Sequence, residues 1–268
     1  MADETKKQKV TEEMIKEQEE KANKEAEKEF EKKFVMTRRE TTREEREKER
    51  QKQELESWIP KTKLGKLVKE KKIKDIDEIL EKYKILEPQI IDSLLNLKTD
   101  LLLIGQAKGK FGGGKRRAWR QTQRKTAESN ASTFSCMVTV GDEKGHIGLG
   151  LGRSKETLPA RSKALRKAKL NIVRIERGCG SFDCICHEKH SIPFKVEGKC
   201  GSLRITLWPA PQGAGLVVGD ELKKILALAG IKDVYSKTFG NTRTTINLAK
   251  ACFYALQKTT KQNMARGR

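Results

Sequence analysis

Two stretches of this 268-residue chain place reactive side chains at spacings that suggest chemistry. The first, Gly109-Lys-Phe-Gly-Gly-Gly114-Lys115, fits the first seven positions of a phosphate-binding loop and follows the apolar run Leu101–Ile104. The eighth position decides against it. A nucleotidase needs Ser or Thr there to hold magnesium, and this chain has Arg116. The residues after it lack an apolar helical stripe, and no apolar strand ending in Asp follows to supply a second magnesium ligand. The same segment reads better as an RNA contact. Between Gln106 and Thr126 lie Lys108, Lys110, Lys115, Arg116, Arg117, Arg120, Arg124 and Lys125, with no acid among them. Glycines let the backbone approach phosphates, and Phe111 and Trp119 offer faces for unpaired bases. The plainer alternative is a solvated basic loop.

The second stretch is Cys179-Gly-Ser-Phe-Asp-Cys184-Ile-Cys186-His187-Glu-Lys-His190, three thiols and two imidazoles in twelve residues. Zinc takes thiolate and imidazole in a tetrahedral site. The spacing is not that of a C-x2-C knuckle, however, and the next thiol, Cys200, is not part of a second pair. Two readings stand: a structural zinc held by Cys179, Cys184, Cys186 and His190, or reduced thiols in a tight loop. A catalytic Cys–His pair lacks a neighbour in the sequence to orient the imidazole. A third motif, Gly148-Leu-Gly-Leu-Gly152, is G-x-G-x-G rather than the dinucleotide G-x-G-x-x-G. Alternating glycines in a strand are better explained by close approach of a neighbouring backbone.

These residues need elements to position them. Leu64, Leu67 and Val68, then Ile76, Ile79 and Leu80, then Ile90, Ile91, Leu94 and Leu95 after Pro88, predict short helices packed on something else. Leu101–Ile104 predicts a short strand, and residues 105–132 a loop. Phe134–Val140 and Gly145–Gly152 predict a hairpin turning at Gly141–Gly145. Ser154 is the expected N-cap of a helix over about 155–172. That helix should bury Leu158, Leu165, Ala168 and Ile172, and expose Arg161, Lys163, Arg166, Lys167 and Lys169. Strands at 193–197 and 203–207, a helix from Asp220 to Gly230, a strand over 233–239 and a helix from Thr244 to about Lys258 complete the pattern. The expected divisions are a charged extension (1–56), a helical segment with the basic loop (57–133), two α+β modules (134–199 and 200–260) and a basic tail (261–268).

Charge supports this division. Lys and Arg number 58 against 37 Asp and Glu, a net of +21. Residues 1–56 carry 16 basic and 18 acidic side chains, so the whole cationic excess falls on the remainder. The extension has no sustained heptad and reads as a charged tail or transient helix. The longest apolar run, Leu101–Ile104, is too short to span a membrane. Met1-Ala-Asp-Glu-Thr-Lys-Lys has no apolar signal core, so the expectation is a cytoplasmic protein with reduced cysteines.

With these motifs placed, residues from about Trp58 to Lys258 resemble the small-subunit ribosomal protein S-five family. The resemblance rests on Val140-Gly-Asp-Glu-Lys-Gly-His-Ile-Gly148, Lys169-Leu-Asn-Ile172, Gly198-Lys-Cys-Gly201, Pro209-Ala-Pro-Gln-Gly-Ala-Gly215, Leu228-Ala-Gly-Ile-Lys-Asp-Val234 and Thr238-Phe-Gly240, in that order. Ile104–Gly114 and Arg177–Cys186 look like the archaeal branch, although His187 stands where archaeal relatives often carry Gly. The resemblance implies an α+β chain: a double-stranded-RNA-binding-like module, then a β-α-β-α module, with no enzymatic activity and no required cofactor. It further implies binding to small-subunit ribosomal RNA near the neck, contact with ribosomal proteins of the S-four and S-eight families, and a place on the side where messenger RNA enters, affecting decoding accuracy. The RNA-binding set expected is the basic loop (Lys108, Lys110, Phe111, Lys115, Arg116, Arg117, Trp119, Arg120, Arg124, Lys125) with Arg153, Lys155, Arg161, Lys163, Arg166, Lys167 and Lys169. The alternative to a ribosomal component is a free RNA-binding or chaperone-like protein.

Overall fold

The computed structural model describes residues 53, 55–106, 116–186 and 188–266, with side chains as far as residue 260. The extension read over 1–56 therefore lies outside the described residues, apart from Gln53, Leu55 and Glu56, which are helical.

Three short helices open the body: α1 (Lys63–Lys69), α2 (Ile76–Lys82) and α3 (Pro88–Leu94). Thr62 caps α1 by accepting the Gly65 N–H on Oγ1, and Pro88 begins α3 where no intrahelical N–H is required. Their apolar faces, including Val68, Ile79, Ile90 and Ile91, close over Ile172. That residue is the support the helical spacing demanded.

Ile172 belongs to an antiparallel sheet of β1 (Lys98–Leu102), β2 (Arg120–Lys125), β3 (Asn130–Gly141), β4 (His146–Ser154) and β5 (Ile172–Arg174), ordered β1-β3-β4-β5 with β2 also on β3. The 12-residue β3 is long enough to pair with β2 over its first half and with β1 over its second. The expected loop over 105–132 is thus corrected, because it contains β2 and the start of β3. The sequence Arg-Gln-Thr-Gln-Arg-Lys carries no apolar alternation, so backbone pairing with β3 alone makes it a strand. The hairpin turns where expected, with Glu143 at φ 60° and Gly145 at φ 117°. Asp142 Oδ1 closes it by accepting from the N–H of Lys144 (2.8 Å) and of His146 (3.0 Å).

Helix α4 (Thr157–Leu170) crosses this sheet. It starts two residues later than Ser154 would set it, and Ser154 ends β4 instead. Pro159 explains the shift. In a helix begun at residue 155 its nitrogen would owe a bond to a carbonyl, whereas beginning at Thr157 puts it in the first turn, where none is owed. The expected apolar face is also corrected. Ala160, Ala164 and Ala168 are buried while Leu158 is 75% exposed. The reason lies on β4, where a Cβ built on Gly148, Gly150 or Gly152 would come within 2.1–2.2 Å of the carbonyl oxygens of Ala168, Ala164 and Ala160 respectively. The helix rests directly on the strand's backbone, so only alanine fits between them. This is the close backbone approach that the G-x-G-x-G pattern predicted.

The second sheet has the order β6-β7-β9-β8, from β6 (Val196–Cys200), β7 (Leu203–Pro209), β8 (Leu216–Val217) and β9 (Val234–Phe239). Helix α5 (Asp220–Leu228) follows β8, and α6 (Thr245–Arg266) ends the described chain. The two-residue β8, parallel to β9, left no periodic signal. Pairing of β6 with β7 assigns it to the second sheet, so sheet membership divides the modules between Arg174 and Val196 rather than near 199. Gly219, not Asp220, is the N-cap of α5, and Asp220 sits in the first turn, where its carboxylate favours the helix dipole. Helix α6 continues to Arg266, through most of the stretch read as a tail. It repeats the α4 solution: a Cβ on Gly198 would lie 2.0 Å from the Ala251 carbonyl oxygen.

The sheets share one core. Residues 136, 138 and 140 of β3 face α4, whereas Met137, with Leu102, Ile147 and Leu149, joins Leu203, Ile205, Leu222, Ile225 and Leu256 of the second module. Two polar contacts fasten the same seam: Leu103 N–H donates to Glu221 Oε2 (2.7 Å), and Lys224 Nζ donates to the Leu101 carbonyl (3.0 Å).

Candidate nucleic-acid interface and Cys/His cluster

Strand pairing assembles a basic row. Arg120 of β2 and Arg153 of β4 both stand opposite Ser135 of β3, and directly opposed residues share a sheet face. Arg153 Nε donates to Ser135 Oγ (3.3 Å), which holds that guanidinium across the strand. Two grooves flank the row near the start of α4. One is lined by Arg117, Trp119, Arg120, Gln121, Gln123 and Phe134, the other by Thr133, Arg153, Lys155, Pro159 and Lys163. Five cations from two strands, one helix and the segments beside them therefore converge, although they are spread over residues 117 to 163. Arg116 is exposed, its Nη1 donating to the Arg243 carbonyl (3.4 Å), and the Arg117 carbonyl accepts from Gly105 N–H (2.7 Å), tying down the return of the basic segment.

The remaining expected contacts divide by position. Lys108, Lys110, Phe111 and Lys115, with the whole Gly109–Lys115 motif, lie outside the described residues. Arg124 and Lys125 are exposed at the far end of β2, opposite Ala131 and Asn130. Lys163, Arg166 and Lys167 are exposed on α4, and Arg161 is half-buried. Two residues are placed differently from the sequence reading. Trp119 is half-buried and packs against the core of Cys136, Val138 and the α4 alanines, so its ring is partly occupied. Lys169 is buried, with Nζ 2.7 Å from Asp92 Oδ2 of α3, and its charge is already met. Lys169 sits beside the alanine stripe rather than opposite it, and the sequence offered no sign of Asp92. The uncharged groove residues Thr133, Gln121 and Gln123 were also missed, since polar strand residues carry no distinguishing pattern.

The Cys/His cluster closes up. The donor atoms of Cys179, Cys184, Cys186 and His190 all lie within 4.8 Å of one another. Cys184 Sγ is 2.9 Å from Cys186 Sγ and 3.6 Å from His190 Nε2, and Cys186 Sγ is 3.5 Å from Cys179 Sγ. The Cys186 thiol, with the N–H groups of Cys186 and Gln212, holds the Cys184 thiol well below its usual range. The same contact with Cys184 pushes Cys186 up, because a second thiolate beside the first is disfavoured without a cation. His190 has the orienting group that was not evident in sequence: its Nδ1 lies 2.7 Å from Asp233 Oδ2, with both residues buried. Phe182 and Ile185, between the cysteines, are fully exposed, so the loop is not held by burial of its own apolar side chains. Its donor set fits a single soft cation. Bonds of about 2.0–2.3 Å at tetrahedral angles place donor atoms roughly 3.3–3.8 Å apart, near the spacing observed. Metal–sulfur clusters need wider separations. His187 lies outside the described residues.

Comparison with known proteins agrees with this architecture. Residues 118–176 match the family described as ribosomal protein S5, N-terminal domain, and residues 198–268 match ribosomal protein S5, C-terminal domain. The chain is 53% identical over 206 residues to the small ribosomal subunit protein uS5 of Nanoarchaeum equitans, covering 76% of this chain and 88% of the relative. It is 50% identical over 204 residues to uS5 of Thermofilum pendens (75% and 94% covered) and 48% identical over 208 residues to uS5 of Pyrobaculum aerophilum (77% and 88%). The first match covers β2 to β5 of the first sheet, and the second covers nearly all of the second sheet with α5 and α6. The chain belongs to the ribosomal protein S5 family, in its archaeal form.

Proposed function

We propose that this chain is a non-enzymatic structural component of the small ribosomal subunit that binds ribosomal RNA through the β2-β3-β4 row and the start of α4. The convergence of Arg117, Arg120, Arg153, Lys155 and Lys163 around two grooves is the observation that carries the reading. Such cations neutralise phosphates and fix orientation, while groove shape and stacking on half-exposed aromatics supply selectivity. The antiparallel sheet with α4 across one face suits the double-stranded-RNA-binding-like reading of the first module. Lys108, Lys110, Phe111 and Lys115 join the RNA-binding set in this proposal by their chemistry in the sequence, with Arg116, Arg124, Lys125, Arg161, Arg166 and Lys167 as outer contacts. Lys169 is left out.

The finer placement in this proposal is the one the family resemblance implies: near the neck, on the side where messenger RNA enters, with an influence on decoding accuracy, in the cytoplasm. Among the described residues, no helix is long and apolar enough to cross a membrane. The outer face of the second sheet, with Tyr235 and Phe239 exposed beside Arg204 and Lys237, is the surface we assign to neighbouring proteins of the S-four and S-eight families. No cofactor enters this function. We further infer that Cys179, Cys184, Cys186 and His190 hold a structural zinc, since all protein donors converge and His190 is fixed from behind by a carboxylate.

Sedimentation tests the assignment. The native protein should be found nearly quantitatively in small-subunit fractions, and recovery mainly at the top of the gradient would favour a free RNA-binding chaperone. For the interface, Arg120→Glu with Arg153→Glu should weaken RNA binding and lower the salt slope by about one unit for each phosphate left without its cation. Unchanged affinity at low and high salt would remove this row from the interface.

A further inference from the structure

The metal-binding side chains come from the linker between the two sheets, but what holds them comes from the second module. His190 Nδ1 lies 2.7 Å from Asp233 Oδ2, and its Nε2 is turned toward the sulfurs, 3.6 Å from Cys184 Sγ. The other Asp233 oxygen, Oδ1, accepts the N–H groups of Gly213 (3.2 Å) and Gly215 (2.8 Å). The His190 carbonyl accepts from Lys232 N–H (2.8 Å) and Asp233 N–H (3.2 Å). Ser191 Oγ donates to the Asp233 carbonyl (2.5 Å) and accepts from Ala210 N–H (3.3 Å). The Gln212 N–H reaches the Cys184 sulfur itself. Three segments therefore meet at the donor atoms: the linker at 178–191, the loop at 210–215 and the turn at 230–233. Gly213 (φ +90°) and Gly215 (φ +69°) have open space where a Cβ would stand. They are glycines because the chain must turn its N–H groups inward to a carboxylate, not because a neighbour crowds them.

Building on the zinc reading above, we propose that the ion is a clasp: held by Cys179, Cys184, Cys186 and His190, it is oriented by Asp233 and fixes the 210–215 loop of the second module against the inter-sheet linker. Asp233 is a positioning residue. It sets the tautomer and ring angle of His190 on one side and the loop's amides on the other, so metal affinity and loop order are two readings of one network. The cluster offers one mononuclear cation three sulfurs and one nitrogen, the full tetrahedral set of a structural site.

The test uses the full chain, with zinc alone as the probe. The purified protein should carry one zinc per chain and should keep it in Cys200→Ser, whose thiol lies outside the cluster. Asp233→Asn should lower zinc affinity about 10–100-fold in competition with a chromophoric chelator. Stripping zinc from the wild type should raise amide exchange across 209–216 and 230–234 while β6 and β7 stay protected. This arm remains decisive if Asp233→Asn fails to fold. Absence of zinc in the wild type, or a disulfide among the three cysteines, overturns both the metal reading and the clasp. Zinc bound with unchanged affinity in Asp233→Asn, or with unchanged exchange in 209–216 after stripping, overturns the clasp and leaves the metal reading standing.

Discussion

Replacing Gly150 by alanine adds one methyl group where α4 rests directly on the backbone of β4. Its Cβ would lie 2.1 Å from the Ala164 carbonyl oxygen, 2.3 Å from Ala168 N and 2.9 Å from Ala168 Cα. All three are backbone atoms of α4, so no side chain can swing aside. An ordinary contact begins near 3.4 Å, and the helix must therefore lift by about 1.3 Å, the difference from the closest approach. The lift also loosens the seats of Gly148 and Gly152, which carry the same helix. Overpacking of this kind costs typically about 1–3 kcal/mol, and three simultaneous backbone clashes put it at the upper end, about 3 kcal/mol. For a body of this size that lowers Tm by roughly 6–12 °C. Lifting α4 also carries Lys163 away from Arg153, so RNA affinity should fall although no cation has been changed. Urea unfolding and thermal melts of the full chain measure the first effect, and filter binding the second. Gly219→Ser is the matched control: its Cβ meets open space, and serine at the N-cap of α5 can accept a first-turn N–H, so stability should rise by a few tenths of a kcal/mol. A Gly150→Ala variant within about 0.5 kcal/mol of wild type would refute direct seating of the helix on the strand.

Other consequences are open to measurement. His146 lies between Asp142 (2.7 Å) and Asp77 (2.9 Å); burial lowers its pKa, but the two carboxylates outweigh burial and raise it above its usual 6.5. A group raised in the folded state stabilises fully below about 6.5 and loses that contribution as pH rises through the raised value. Asp142 runs the opposite way: despite burial, hydrogen bonds from His146 hold it below 3.8, so its contribution fades as pH falls through the lowered value. Urea midpoints of the wild type should therefore decline from about pH 6 to 8, and His146→Gln should flatten that decline; a wild-type midpoint constant over this range contradicts the pairing. Asp92→Asn strands the buried Lys169 ammonium and should destabilise by about 1–3 kcal/mol, the low side of a broken buried pair because both side chains keep some solvent. Lys169→Met should leave RNA affinity within about twofold, and a tenfold loss would return Lys169 to the interface.

How much of this was legible in the sequence depended on which signal each residue carries. Short helices with apolar residues three and four apart, such as Ile76 and Ile79, announced themselves because burial and period coincide. The glycines of β4 were read correctly as a close approach, yet their partner was not, since Leu158 looked like the natural core residue. Only the geometry shows that a leucine would not fit where Ala160 does. β2 was invisible because it is a strand by hydrogen bonding alone. The four metal-binding candidates were all named from their spacing, whereas Asp233, 43 positions beyond His190, carries no local mark. The basic residues were easy to collect and hard to sort. Lys169 differs from Lys167 by two positions, which on a helix separates a buried ion pair from a solvated cation.

The single core shared by both sheets bears on how the chain is made. Sheet one is complete at Arg174, but the apolar face formed by Leu102, Met137, Ile147 and Leu149 is covered by the second module, where α5, ending at Leu228, packs on β1 and β3. At a synthesis rate of about 5–20 residues per second, that face waits roughly 3–11 s for its cover. During the interval the nascent chain displays an apolar surface together with its full complement of strand-borne arginines. Its earliest hazard is therefore simultaneous stickiness toward other nascent chains and toward any nearby polyanion. The order of the elements makes α5, which packs on β1 and β3, the piece that ends this exposure.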